Sequence, residues 1–463
     1  MRRAPEAWVP LVAGVLWLWS AADFGIVGFL FSILPGCLLL ASGVSTLLWP
    51  GDLRVPQFTS LGGALGCLFA LPVFIVAGPG TALALIGLSA GSFWSAGVTS
   101  LRQELPTKAV PVPRLSASLA AKVALDDSLL AWWSMRLPMA RPQDQERIAV
   151  EVQSAIKLFA ERGWLEKPES YHSEPPPLLD PSLRSSRVLG IDYEHLSFES
   201  GYEPRHEEPG RTRWLSRIRN RAGHAWVLRH RDGPRPWLVC LHGFQMGVPL
   251  IDLRAFRALQ LHHRRGLNVM MPVLPLHGPR SHGRVSGDGY ISGDHLDLVH
   301  AQAQAVWDVR RLLSWVRAQD APTVGVYGLS LGGYNAALIA AIDPELDSVI
   351  AGIPAVDFTR LAWRHGPPLM LRNAERLGVS RDDVQLLLSV VSPLSLAPKL
   401  PREGRFLFAC TADRIVPPDQ VHDLWLHWER PRIAWYEGSH LSFMRDPEVR
   451  SVIDEALTRL KVV

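Results

Sequence analysis

The sequence predicts an α/β domain built on a mainly parallel eight-stranded sheet flanked by helices, preceded by an all-helical transmembrane region. Three observations carry this. The first hundred residues hold two long stretches almost free of charge. Strand-like and helix-like segments alternate from about Val188 to the end of the chain, the pattern of an α/β architecture. A Gly-Leu-Ser-Leu-Gly pentapeptide, 328–332, sits where one such strand runs into a helix.

Between Ala7 and Pro50 the only formal charge is Asp23, and between Val55 and Leu101 there is none. About 20 apolar residues span a bilayer, so these runs are longer than a soluble core helix requires. The breakers Asp23-Phe24-Gly25, Trp49-Pro50-Gly51-Asp52 and Gly78-Pro79-Gly80 divide them into about four segments, near 7–22, 24–48, 59–77 and 81–100. The first is short enough to suit a re-entrant or interfacial piece. Trp17, Trp19, Trp49 and Trp94 suit interfacial belts. A cleavable signal peptide competes for the first segment, with Arg2 and Arg3 as its basic start and Ser20-Ala21-Ala22 as a cleavage site. Against it, apolar segments continue directly afterwards. Four uncleaved spans put both ends on one side, and Arg2, Arg3, Arg54, Arg102 and Lys108 then all face the cytoplasm. The expectation is a multi-pass inner-membrane protein, in contact with membrane lipids, whose larger part is cytoplasmic.

The 463 residues exceed one ordinary domain, and 48% of them are hydrophobic. The net charge of +4 is mild and its cations are nearly all arginine. No zinc-finger or RNA-recognition signature accompanies it, so nucleic acid is not an expected partner. Cys37, Cys67, Cys240 and Cys410 lie far apart, form no C-x-x-C pair, and read as unpaired thiols suited to a reducing compartment.

Residues 1–101 thus form the membrane region, and 102–187 a helical connector with a linker. Within the connector, 102–113 is a proline-punctuated exit. Leu115–Leu137 and Gln143–Gly163 read as amphipathic helices, the second with Ile148, Val152, Ile156, Phe159 and Ala160 at helical spacing. Trp132, Trp133 and Met135 read as packing rather than a binding site. The stretch 172–187 is rich in proline and serine and reads as a linker.

The third part, 188–463, carries strand candidates at Tyr193–Ser200, Ala225–His230, Trp237–Leu241, Val269–Leu274, Thr323–Tyr327, Ser348–Ile353, Arg405–Thr411 and Arg432–Tyr436. Helices are expected near Leu253–His263, Leu296–Arg317, Leu331–Ile342, Pro418–Trp428 and Pro447–Leu460. The first strands pair antiparallel and the later crossovers imply parallel neighbours.

The pentapeptide has the form of a nucleophile elbow, in which a strand turns sharply into a helix and lifts Ser330 Oγ clear of its own backbone. Gly328 and Gly332 keep side chains out of the cramped turn, and Gly333 lets the helix approach. The helix beginning at Leu331 points free N–H groups and its positive end at the site. A tight turn with an incidental serine is the plainer alternative. Three further stretches argue against that: "WLVCLHGF" at 237–244, "FLFACTADRIVPP" at 406–418 and "WYEGSHLSF" at 435–443.

Together these four matches resemble the α/β-hydrolase superfamily, over roughly Val188–Val463. The resemblance implies a serine hydrolase of esterase, lipase or thioesterase type, with Ser330 as nucleophile, Asp413 as the acid after the seventh strand and His440 as the base. It implies an oxyanion hole from the backbone N–H groups of Phe244 and Leu331, and no cofactor. The order Ser, Asp, His along the chain is the superfamily's. One departure is small: Ser439 stands between Gly438 and His440, where the familiar form is Gly-His. His242 competes as a base but reads as shaping its loop. Asp357, after the sixth strand, competes with Asp413 as the acid.

Other readings compete. The loop 274–295 gathers His277, His282, Asp288, Asp294 and His295, and metal coordination there is chemically possible. No H-E-x-x-H helix or calcium loop accompanies it, so no metal is expected and the loop reads as covering the site. Its Arg280 is a candidate contact for an anionic substrate group. The stretch between Asp357 and Lys399 corresponds to the superfamily's cap region, where Trp363, Met370 and a run of leucines suit an acyl pocket. An amphiphilic or lipid-like acyl ester is the expected partner. An acyltransferase or peptidase would use the same triad. A non-catalytic scaffold on this fold is a rival from another class. So is a transporter or receptor, which the single intramembrane Asp23 argues against.

Overall fold

The computed structural model describes residues 5–23, 25–136 and 141–460; Arg2 and Arg3 lie outside the described residues. The chain divides into two compact units. One is the chain as far as Leu137 together with 410–418 and 435–443, and the other is the remainder.

The first unit opens with α1 (Trp8–Asp23), α2 (Gly25–Leu48), α3 (Val55–Gln103) and α4 (Ala117–Arg136). Within α3, Gly78 has φ 81° and ψ 167°, which no helix tolerates, and the helix folds back on itself there. A Cβ on Gly66 would stand 2.3 Å from Ser89 Oγ, and one on Gly63 would stand 2.7 Å from the Ser89 carbonyl. The two arms therefore meet backbone against backbone, which small residues permit. Among the described residues, three helices are long and apolar enough to cross a membrane: Gly28–Leu48, Val55–Val76 and Gly78–Gln103. The first of the four expected segments, near 7–22, is the shorter apolar helix α1, outside these three. The 16 residues of α1 rise only about 24 Å against a hydrocarbon core of roughly 30 Å.

Trp17 is also not an interfacial residue. It is buried with Ala13, Leu39, Ala70, Val73 and Leu85, and its indole Nε1 donates to Ser89 Oγ at 2.9 Å. A buried indole needs such a partner. Trp19, Trp49 and Trp94 are exposed, as belts require. A Cβ on Gly97 would lie 1.9 Å from the Ala120 carbonyl oxygen, so glycine lets α4 lie directly against α3.

In the second unit α5 (Pro142–Glu161) buries Ala149, Val152, Ala155 and Phe159. That face is turned slightly from the expected one: Ile148 and Ile156 are half-buried and Ala160 is exposed.

The sheet has nine strands rather than eight: β1 (Ser182–Val188), β2 (Ile191–Glu199), β3 (Ala222–Leu228), β4 (Trp237–Leu241), β5 (Asn268–Val273), β6 (Val324–Leu329), β7 (Ser348–Gly352), β8 (Arg405–Cys410) and β9 (Arg432–Tyr436). Their order is β1-β2-β3-β5-β4-β6-β7-β8-β9. The pairs β1/β2, β2/β3 and β3/β5 are antiparallel; β5/β4, β4/β6, β6/β7 and β7/β8 are parallel. The strand missing from the sequence reading is β1, which lies in the expected linker. It is an edge strand, mostly exposed and polar, with Ser182 opposite Ser197 and Val188 opposite Ile191. Polar edges resist aggregation and leave no alternating apolar signal.

Every residue of β4 to β8 is buried, as a sheet covered on both faces demands. The helices His295–Arg317, Leu331–Ile342, Pro418–His427 and Pro447–Arg459 occupy their expected places. The expected helix at 253–263 is instead broken at Arg257 (φ 52°) into Pro249–Ala255 and a wide turn at Gln260–Arg264. Between β7 and β8 three short helices, Phe358–His365, Pro368–Arg376 and Arg381–Leu388, make the insertion expected as a cap. The strand order and the serine turn after β6 are those of the α/β-hydrolase fold.

Candidate active site

Ser330 lies between β6 and the helix Leu331–Ile342 with φ 56° and ψ −113°. A side chain other than glycine's is rarely held at positive φ, and such strain collects at functional turns. The turn is locked by backbone contacts. The Ser330 N–H donates to the Gly352 carbonyl at 2.9 Å, and the Ser330 carbonyl accepts from Tyr334 N–H at 3.0 Å. A Cβ on Gly328 would fall 2.0 Å from the Gly332 carbonyl oxygen, and one on Gly332 would fall 1.8 Å from that of Leu241. Both glycines are required by the approach of neighbouring backbone. Leu331 opens the helix, whose first N–H groups have no acceptor within it.

On the loop after β4, His242 is buried with both ring nitrogens engaged. Nε2 accepts from Leu274 N–H at 3.0 Å, so Nδ1 carries the proton and donates to the Gly243 carbonyl at 2.8 Å. Burial pulls its pKa down to about 4. It shapes the loop that leads to Phe244 and has no lone pair left to act as a base.

The acid and base candidates come together in the first unit. His440 Nδ1 and Asp413 Oδ2 are 2.7 Å apart, both side chains buried. Asp413 Oδ1 accepts from the N–H groups of Ile415 at 3.0 Å and Val416 at 2.8 Å, which fixes the carboxylate plane. Thr411 N–H donates to the Tyr436 carbonyl at 3.0 Å and ties together the strand ends that carry the pair. Burial by itself would lower the His440 pKa, but the charge and hydrogen bond of Asp413 override it and the net shift is upward. Asp357 does different work. It caps the helix Phe358–His365 by accepting from the Arg360 backbone N–H at 2.9 Å, and its other oxygen pairs with the Arg360 guanidinium at 3.1 Å.

Two residues beside this pair escape a sequence reading. Asp126 and Asp127 of α4 are fully buried. Asp126 Oδ2 accepts the backbone N–H of His440 at 2.9 Å and, more weakly, that of Arg414 at 3.4 Å. Asp127 Oδ1 meets Arg414 Nε at 3.1 Å, Ser100 Oγ donates to the other oxygen, and Arg414 Nη1 pairs with Glu104. Burial, and then the charge of Asp413, push the Asp126 carboxyl up to about 8. The available signal was an Asp-Asp pair inside a mostly apolar helical run, "AAKVALDDSLLAWW".

The histidine-rich loop does not gather a donor set. Among the described residues no group of three or more His, Cys, Asp or Glu side chains could hold a metal ion. His277 is buried, with Nδ1 on the Pro275 carbonyl at 2.9 Å, and its ring meets Tyr290 edge-on. Asp288 accepts from Arg284 N–H, and Asp294 caps the helix His295–Arg317 while binding Arg147 and Arg213. Arg280 is corrected as a substrate contact. It is wholly buried, donates to the carbonyls of Val273 and Asn220, and pairs with Asp308 at 2.8 Å. In the insertion after β7, Leu387 and Leu388 are core, whereas Trp363 and Met370 are half-buried.

No protein-family model matches the chain. Among solved structures it is similar to the acetyl xylan esterase from Paenibacillus sp. R4, at 15% identity and a TM-score of 0.45 over 64% of this chain and 99% of that one. It is similar to the Pyrococcus horikoshii acylaminoacyl peptidase at 13% identity and a TM-score of 0.36, over 60% of this chain and 40% of that one. Two curated relatives are much closer in sequence. The chain is 42% identical over 350 residues to "Uncharacterized protein MT2702" of Mycobacterium tuberculosis (strain CDC 1551 / Oshkosh), covering 75% of this chain and 84% of the relative. Identity and coverage are the same for "Uncharacterized protein Rv2627c" of strain ATCC 25618 / H37Rv. At that identity and coverage, the chain belongs to the same family as these two mycobacterial proteins.

Proposed function

We propose that this protein is a membrane-anchored serine hydrolase that cleaves acyl esters or thioesters. The observation that supports it most is the buried Asp413–His440 pair, in a chain whose strained elbow serine precedes both. With Nδ1–H donated to Asp413, the imidazole keeps Nε2 as a base. Ser330 Oγ attacks the acyl carbon as Nε2 takes its proton, and Asp413 stabilises the imidazolium. The N–H groups of Phe244 and Leu331 hold the oxyanion, each contributing about 3 kcal/mol to lowering the barrier. His440 then protonates the leaving group. In the second half it deprotonates the water that releases the acyl chain.

The three spanning-length helices support attachment to the cell's inner membrane as a multi-pass protein. Two of them, Val55–Val76 and Gly78–Gln103, form a hairpin, so Arg54 and the pair Arg102 and Lys108 share one side whatever α1 does. Basic flanks favour the cytoplasmic side, and the chain after Gln103 then lies there. An enzyme so tethered meets acyl esters dissolved in or delivered at the membrane surface, and amphiphilic, lipid-like esters fit best.

The test is covalent labelling by a fluorophosphonate probe. Wild type takes up the label; Ser330→Ala, folded and membrane-bound, does not. Labelling that survives the substitution would overturn the assignment.

A further inference from the structure

A buried carboxylate that no reaction step uses calls for an explanation. Removing a charged or polar group from water costs several kcal/mol unless it is satisfied, so an aspartate is seldom retained in a helix core without a partner that needs it. Asp126 has such a partner in the backbone N–H of His440, at 2.9 Å. Its other oxygen, Oδ1, is buried without any partner. The neighbouring Asp127 grips the side chain of Arg414, the residue after Asp413 in the acid turn, at 3.1 Å. Two consecutive residues of α4 thus hold the base loop by its main chain and the acid turn by its side chain. Ser100 and Glu104, at the end of the last apolar helix, complete the hold on Asp127 and Arg414.

We propose that Asp126 is a positioning residue for the reaction. Contributed by the helix that follows the apolar region, it fixes the main chain at His440 so that the imidazole keeps its place on Asp413. The inference rests on the serine-hydrolase reading above. It goes beyond that reading in making the connector helix part of the catalytic apparatus rather than a tether. Asp126 touches neither substrate nor reacting atoms and acts only through His440. What matters is an acceptor oxygen at that point, so an amide serves as well as a carboxyl group. The group at Oδ1 then needs no charge. This agrees with the upward shift that burial and Asp413 impose on Asp126.

The test uses the full-length protein in membranes or detergent and the fluorophosphonate probe, separating the maximal labelling rate from the probe's half-saturating concentration. Asp126→Ala removes the acceptor, and the maximal rate falls by about a hundredfold, the cost of misplacing a catalytic group by about an ångström. The half-saturating concentration and the melting temperature of the membrane-bound protein change little by comparison. Asp126→Asn keeps the acceptor and restores the rate to near wild type. Asp126→Ser, whose shorter hydroxyl cannot reach the His440 N–H but admits water, carries the same expectation as Asp126→Ala and is read if that variant does not fold. A wild-type labelling rate in Asp126→Ala or Asp126→Ser overturns the positioning role and leaves the hydrolase reading standing. So does a collapse of the rate in a stably folded Asp126→Asn. A wild type with no Ser330-dependent label overturns both.

Discussion

His440 and Asp413 are 27 residues apart in the chain and 2.7 Å apart in space, joined Nδ1 to Oδ2. Asp413 has no freedom to turn away, because two backbone N–H groups hold its other oxygen. This rigidity is what an orienting carboxylate needs, and it separates Asp413 from the competing Asp357.

Asp413→Asn is therefore expected to reduce turnover of an activated ester by about 10⁴-fold, because the amide favours the wrong imidazole tautomer. Asp357→Asn keeps an oxygen that can cap the helix and loses only the ion pair with Arg360, which costs at most about 1 kcal/mol of stability. Its turnover stays close to wild type. Steady-state rates of the two purified variants, with melting curves alongside, check this, and reversed severities would move the acid to Asp357.

The pH dependence follows from the same pair. As the proposed base His440 must be neutral, and Asp413 raises its pKa above the ordinary value of 6.5. Activity is then lost as pH falls through a midpoint above 6.5. Residual activity in Asp413→Asn should show that limb at lower pH, since burial then acts on the imidazole without the opposing charge. A limb at or below 6.5 in wild type would contradict the pairing seen here.

The elbow offers a prediction about strain. Ser330 is held at φ 56°, ψ −113°, and releasing such a residue is worth about 1–3 kcal/mol. Ser330→Gly and Ser330→Ala both abolish labelling, but the glycine variant should melt at the higher temperature. Equal melting temperatures would mean that the turn stores no strain.

Sidedness is checked by paired reporters, one active only in the cytoplasm and one only outside it. Fusions after Gln103 and at the C-terminus should activate the cytoplasmic reporter. A fusion truncated near Gly78 should activate the external one, because the hairpin turns there. External activity of the C-terminal fusion would place the α/β domain in the cell envelope.

What the sequence determined by itself is whatever depends on neighbouring residues. Gly328, Ser330 and Gly332 were legible because the turn's backbone admits no other residue at the two glycines, a constraint written within five positions. The buried strands β4 to β8 announced themselves as short apolar runs between turns, and the order of the serine, acid and base candidates is itself a property of the chain. The tertiary structure decided what depends on distant partners. The stretch that forms α4 read only as an amphipathic helix, but Asp126 and Asp127 face loops 314 and 287 residues away, where they meet His440 and Arg414. Arg280 looked available for substrate until Asp308 and two carbonyls claimed it. Strand β1 and buried Trp17 misled in the same way. The first is a polar edge paired with β2, and the second an indole whose hydrogen bond is to Ser89, 72 residues on. A local pattern states what a residue prefers, whereas burial of a polar group is settled by the partner that satisfies it, and that partner is chosen by the fold.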